Sequence, residues 1–98
     1  MSYAVVEDVA ASWESYERFA ADIELAQPDG LILHAAGRTD EGYRIIEVWD
    51  SEEAWRRFAD GVDHPNAPRF VRDLQPTHLV LGREATRRTN RADDPRRQ

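Results

Sequence analysis

His34 and Glu47 are the residues whose types and spacing point most directly to chemistry. An imidazole held by a carboxylate has a fixed tautomer, which a general base requires. The two meet only if the chain between them makes a hairpin. If residues 39–42 form a four-residue loop, Arg38 pairs with Tyr43, and the register sets His34 opposite Glu47 on one face. Directly opposed Cβ atoms lie ~5 Å apart. A one-residue slip would send the two side chains to opposite faces, so the register decides the matter. The pair could also be a buried hydrogen bond with no catalytic duty. Trp49 shares the parity of Glu47 and could line the same cavity or pack in the core. His78 could point the same way or sit at a strand end.

Composition narrows the chemistry. The chain has 98 residues and no Cys, which removes disulfides, thiol nucleophiles and Cys-ligated metals. All 13 basic residues are Arg, so Schiff-base chemistry and pyridoxal phosphate are excluded. Ser stands only at positions 2, 12, 15 and 51, the last three where helices would start, which argues against a serine hydrolase. A net charge of -6 argues against nucleic acid and against an anionic membrane as partners. No Gly-rich phosphate loop is visible. His34, Glu47 and His78 have the ligand types of a two-His-one-carboxylate set, but one sheet would hold them on distant strands, so no metal is expected. The expected cofactor is none, and the expected location is cytoplasmic.

The elements that must position these residues follow from periodicity. Residues 3–8 read as a strand. Ser12 caps a helix whose apolar stripe is Trp13, Tyr16, Phe19/Ala20 and Ile23, stopped at Gln27-Pro28-Asp29-Gly30. Leu31–Ala36 and Tyr43–Trp49 read as strands two and three. Asp50 or Ser51 caps a second helix carrying Ala54, Trp55, Phe58, Ala59 and Val62, with Asp50 and Glu53 forming a capping box. Ala67–Leu74 reads as a short helix exposing Phe70 and Val71, and Pro76–Gly82, with Leu79-Val80-Leu81, as the fourth strand. The order βαββαβ implies an α+β, ferredoxin-like domain over residues 1–82, with a four-stranded antiparallel sheet and both helices on one face. The strands are apolar at both parities, so the other face needs a partner, most simply a second copy. Residues 83–98 form a polar tail with six Arg against three acids, +3. The chain total of -6 therefore leaves -9 on the rest. The tail reads as loose, or as an arm on the acidic body or on a partner.

The stretches Gly30-Leu-Ile-Leu-His34-Ala-Ala-Gly37 and Gly42-Tyr-Arg-Ile-Ile-Glu47-Val-Trp49-Asp-Ser51-Glu-Glu-Ala-Trp55-Arg-Arg-Phe58 resemble small members of the dimeric α+β barrel superfamily, with the antibiotic-biosynthesis monooxygenases as the nearest named branch. The resemblance spans roughly residues 3–82. It implies two ferredoxin-like sheets packed as a homodimeric barrel, with a pocket between each sheet and its helices. The haem-degrading branch carries an Asn on its first strand and a Trp and a His on its second helix, where this chain has Glu7 and Asp8, then Phe58. The expectation is a cofactor-independent oxygenase or cyclase acting on a flat phenolic or polyketide-like molecule. His34 and Glu47 would move the proton, and Tyr43, Trp49, Trp55, Phe58, Phe70 and His78 would contact substrate. The alternative is a non-catalytic small-molecule-binding or accessory dimer of the same fold.

Overall fold

The structure is a computed structural model and describes residues 1–62 and 67–84. Its elements run β1 (Tyr3–Val9), α1 (Trp13–Ala26), β2 (Leu31–Arg38), β3 (Tyr43–Trp49), α2 (Glu52–Gly61) and β4 (Arg69–Leu74). All strand pairings are antiparallel, in the order β2-β3-β1-β4. This is the ferredoxin-like α+β arrangement that the sequence implies.

Local chemistry sets the boundaries. The Ser12 hydroxyl accepts from the Ser15 amide, starting α1, and Gln27 closes it in the left-handed region with its N–H on the Ile23 carbonyl. Gly30 has φ +90, where a side chain would be strained. Thr39 and Gly42 exchange backbone hydrogen bonds and close the β2–β3 hairpin. Ser51, not Asp50, caps α2: its hydroxyl accepts from the Ala54 amide, which replaces the expected Asp50–Glu53 box.

The end of the described chain differs from expectation. Arg69–Leu74 is strand β4 rather than a helix, and residues 76–82 lie outside any strand. The segment has a period of two once its polar residues find partners. Phe70, Arg72 and Leu74 face one way. Arg69 and Asp73 face the helices, where Arg69 reaches Glu7 at 3.8 Å and Asp73 accepts from the Tyr3 hydroxyl at 2.6 Å. Phe70, Val71 and Leu74 mimic a helical stripe by spacing alone. The free edge of β1 is taken by this segment, from Ala4↔Leu74 to Val9↔Arg69. Residues 85–98, the bulk of the expected tail, lie outside the described residues.

The core lies between sheet and helices in two clusters. Tyr3, Val5, Trp49, Ala54 and Trp55 pack beneath α2. Val9, Tyr16, Tyr43 and Ile45 pack beneath α1. Along β3 the inward residues are Tyr43, Ile45, Glu47 and Trp49, so Glu47 stands at the seam between the clusters. Glu7 holds the equivalent place on β1.

Among the described residues no helix covers the opposite face of the sheet. Register assigns its residues to rows across the four strands. One row is Leu74, Ala4, Val48 and Leu33, entirely apolar. The next is Arg72, Val6, Ile46 and Ala35. The third holds Phe70, Asp8, Arg44 and Gly37, with Arg44 donating to Asp8 at 2.6 Å and Arg72 to the same carboxylate at 3.0 Å. Phe70, Leu74, Leu33 and Ile46 are exposed there.

Candidate functional site

The register of β2 against β3 pairs Arg38 with Tyr43 and His34 with Glu47, as the four-residue loop requires. A bulge between Leu31 and Leu33 shifts the far end of β2 but leaves this pairing intact. His34 Nδ1 lies 2.7 Å from Glu47 Oε2. Glu47 is buried, with 3 % of its surface exposed.

Two further residues complete the group. The Tyr16 hydroxyl lies 2.7 Å from His34 Nε2, and the Trp49 indole N–H donates to Glu47 Oε1 at 3.0 Å. With Glu47 ionised, Nδ1–H donates to it, so Nε2 is the acceptor and the Tyr16 O–H donates. The chain therefore runs Tyr16 to His34 to Glu47, with Trp49 on the second carboxylate oxygen. Among the described residues no buried side-chain nitrogen or oxygen lacks a partner. Such a network is fully satisfied and fixes its members in place.

Burial pushes the Tyr16 hydroxyl above the ordinary tyrosine range, and the Glu47 charge adds to it. Tyr16 is thus a neutral donor near pH 7. The Tyr16 and His34 rings lie nearly parallel, 6.0 Å between centroids and joined end to end by their hydrogen bond, and Trp13 stacks on Tyr16 at 4.6 Å. Helix α1 rests on the sheet largely through these long aromatic side chains, with Phe19 and Ile23 continuing the contact.

The other expected site residues are dispersed. Trp49 is wholly buried, so it holds Glu47 rather than lining a cavity. Tyr43 is buried under α1, and burial raises its pKa. Trp55 packs on Tyr3 at 5.4 Å, and Phe58 bridges Trp49 and Phe19. Phe70 lies on the open face of the sheet, away from the helices, because β4 replaces the expected helix. His78 is exposed and outside any strand, because the fourth strand ends at Leu74. Sequence reasoning placed Tyr16 in the core stripe and missed its hydroxyl. The available signal was that a tyrosine on a buried stripe needs a partner for its O–H.

Among the described residues no cluster of His, Asp and Glu is arranged to hold a metal ion. His34 has both ring nitrogens engaged, so neither is open to a ligand metal. A cavity of about 480 Å³ opens along the seam of α1 and β2, lined by Ile23, Glu24, Gln27, Pro28 and Leu31. It lies beyond Tyr16 by about 10 Å along the helix. A second, of about 540 Å³, sits at the hairpin end beside Asp8, Asp40, Arg44 and Phe70. Neither is lined by Tyr16, His34 or Glu47. The His34 side chain keeps 15 % of its surface exposed at the sheet edge.

No protein-family model matches the chain, and no curated protein does. Solved structures do. The haem-degrading protein of Mycobacterium tuberculosis superposes with a TM-score of 0.54 at 19 % identity, over 84 % of this chain and 97 % of that one. A protein of Deinococcus radiodurans, provisionally assigned as an antibiotic biosynthesis monooxygenase, gives 0.51 at 15 % identity, over 83 % and 97 %. The chain has their fold. Identities this low carry the ferredoxin-like architecture and leave the reaction to be argued from the site. Among the described residues no helix is long and apolar enough to cross a membrane.

Proposed function

We propose that the chain is a cofactor-independent enzyme that withdraws a proton from a flat phenolic or enolic molecule, polyketide-like in type, as the first step of an oxygenation or ring closure. The observation that carries this reading is the Tyr16–His34–Glu47 chain, with both contacts at 2.7 Å. The substrate O–H gives its proton to the Tyr16 oxygen as the Tyr16 proton passes to His34 Nε2. The imidazolium formed is stabilised by Glu47, which Trp49 holds in position. The electron-rich anion left behind reacts with dioxygen or closes a ring. The proton acceptor nearest the substrate is then Tyr16 and not His34.

Entry is along the α1–β2 seam. β2 is an edge strand, and the cavity at Ile23 and Leu31 opens into the same seam. The His34 side chain keeps 15 % of its surface exposed at this edge, so substrate reaches the Tyr16–His34 contact from the open side of β2 with that contact intact.

The working form in this reading is a homodimer. The face with Leu33, Ala4, Val48 and Leu74 in one row, and Ile46 and Val6 in the next, is a contiguous apolar surface of the kind that monomers seldom expose. Two copies stacked by this face make the barrel.

The test is a screen of anthrone-like and polyketide-derived phenols, read by oxygen uptake and product analysis. His34→Ala and Tyr16→Phe are each expected to lower turnover about 10²–10⁴-fold. Wild-type rates in both variants would end the proton-transfer reading. A compound that binds stoichiometrically and emerges unchanged would favour the non-catalytic binding dimer.

A further inference from the structure

The α1–β2 seam has unlike ends. At one end, in the cavity beside Ile23 and Leu31, the charged residue of the lining is Glu24. At the other end Arg38 lays its guanidinium over the Trp13 ring, 5.5 Å from the centroid, and Trp13 stacks in turn on Tyr16 at 4.6 Å. The guanidinium therefore stands no more than about 10 Å from the Tyr16 ring. The geometry points to Arg38 as the anchor for an anionic group of the substrate. The molecule taken is a carboxylated phenol or enol, whose hydroxyl meets Tyr16 while its carboxylate meets Arg38. The proposal rests on the proton-transfer reading of the seam and deepens it, because it names the charge that the substrate carries and the way round it lies.

Three observations carry it. Arg38 is on the same face as the proton chain. It has the strand parity of His34, and both side chains meet α1, His34 at Tyr16 and Arg38 at Trp13. Ala36 lies between them with a methyl group alone, so no long side chain of β2 separates guanidinium from imidazole. The guanidinium also keeps its donors for a ligand. Arg44 and Arg72 share Asp8, Arg56 pairs with Glu52 and Arg69 with Glu7. Asp40 and Glu41, close to Arg38 in the chain, line the hairpin-end cavity with Arg44. Among the described residues no carboxylate lies within ion-pair distance of Arg38. A cation–π contact holds the side chain in place without requiring an N–H, which leaves the guanidinium fork for bidentate capture of a carboxylate. Charge along the seam sets the orientation. The chain carries -6, so an acid approaching it needs a local cation. Glu24 repels a carboxylate from the far cavity, so the anionic end goes to Arg38 and the hydrocarbon end toward Ile23 and Leu31. The homodimer covers the other face of the sheet and leaves this seam open.

The experiment uses the full-length chain and a matched pair of probes, a hydroxyanthraquinone carboxylic acid and its methyl ester. The two share shape and hydroxyl and differ in charge. Calorimetry measures both with wild type, Arg38→Gln, Arg38→Lys and, as the control, Arg57→Gln, which removes an exposed arginine of α2. Arg38 is itself exposed, so its variants should fold, and circular dichroism checks this. Wild type is expected to bind the acid about tenfold or more tighter than the ester. The preference should fall to about one in Arg38→Gln, survive in part in Arg38→Lys and stay whole in Arg57→Gln. An ester bound as tightly as the acid by wild type, a preference that Arg38→Gln leaves intact, or no binding of either compound at millimolar concentration would overturn the proposal. Turnover of the matching anthrone acid and ester separates this inference from the reading beneath it. An acid preference that depends on Arg38, with neither anthrone turned over, would keep the anion anchor and remove the proton transfer. Equal turnover of acid and ester, unaltered in Arg38→Gln, would keep the proton transfer and remove the anchor.

Discussion

Replacing Glu47 by Gln should reverse the hydrogen bonding of the site while keeping it hydrogen-bonded. The wild-type carboxylate serves two donors, His34 Nδ1 through Oε2 and Trp49 Nε1 through Oε1. Glutamine keeps one oxygen. The Trp49 indole can only donate and has no access to water, so the amide oxygen turns to it. The amide NH₂ then faces Nδ1. Two donors cannot face each other, so the His34 proton moves to Nε2, and Tyr16 becomes an acceptor. Two charge-assisted bonds become neutral ones, at about 1 kcal/mol each. Relief of a buried charge offsets part of this, so the net loss is about 1–2 kcal/mol. For a domain of this size that lowers Tm by about 5–15 °C at fixed protein concentration. The assay is the long-range proton–nitrogen correlation of the His34 ring, recorded well above the ordinary histidine range. A pyrrole-type Nδ1 in wild type and a pyrrole-type Nε2 in Glu47→Gln are expected. An unchanged tautomer together with an unchanged Tm would refute the assigned contacts.

Two further outcomes follow from local geometry. Burial raises the pKa of Tyr3, Tyr16 and Tyr43, which are all the tyrosines of the chain, with Asp73 adding to the rise at Tyr3. The unfolded chain loses its phenolic protons near ~10, before the folded one does. This part of stability is therefore complete below that pH and is lost as pH rises through the folded values. Phenolate absorbance should show every tyrosine titrating above its position in urea, and one titrating normally would contradict the packing of that ring. Gly30→Ala should cost about 2–4 kcal/mol, because a Cβ at φ +90 would stand 2.7 Å from Ala54 Cβ and from Asp50 Oδ1. Gly37→Ala, with nothing within 4 Å of the added Cβ, is the control and should be neutral or slightly stabilising in urea unfolding.

What was legible in the sequence depended on how local the signal was. Ser12, Gly30 and Ser51 act within one turn of where they stand, and the elements that they bound are found where their chemistry puts them. The His34–Glu47 contact is long in space but short in logic, because one hairpin loop fixes it. β4 was not legible in this way. Arg69–Leu74 becomes a strand because Glu7 and Tyr3, more than sixty residues away, supply partners for Arg69 and Asp73. Leu79-Val80-Leu81 carries the stronger strand propensity, yet within one chain the edge of β1 is already taken. Tyr16 was missed for a related reason. The stripe shows that its ring is buried, but not that its hydroxyl lands on a histidine of β2.

The polar chain under α1 also bears on whether the helix-covered face of the sheet is merely structural. Burying a carboxylate between two apolar clusters is costly, and well-packed apolar residues of similar volume often serve a fold as well or better. If Tyr16, His34, Glu47 and Trp49 exist for packing, replacing them should follow the ordinary sum of core substitutions. If they exist for proton transfer, the parts depend on one another. Glu47→Leu alone strands the Trp49 N–H and frees His34 Nδ1 of its acceptor, at about 1–3 kcal/mol for each group left unpaired. The quadruple variant Tyr16→Phe, His34→Leu, Glu47→Leu, Trp49→Phe leaves no donor behind. It should therefore be more stable than Glu47→Leu by about 2 kcal/mol or more while having no turnover, in keeping with function held at some expense of stability. Urea unfolding of the two variants at one concentration makes the comparison. A quadruple variant less stable than the single one would show that these four side chains are packing elements first, and would leave the fold without its strongest argument for chemistry.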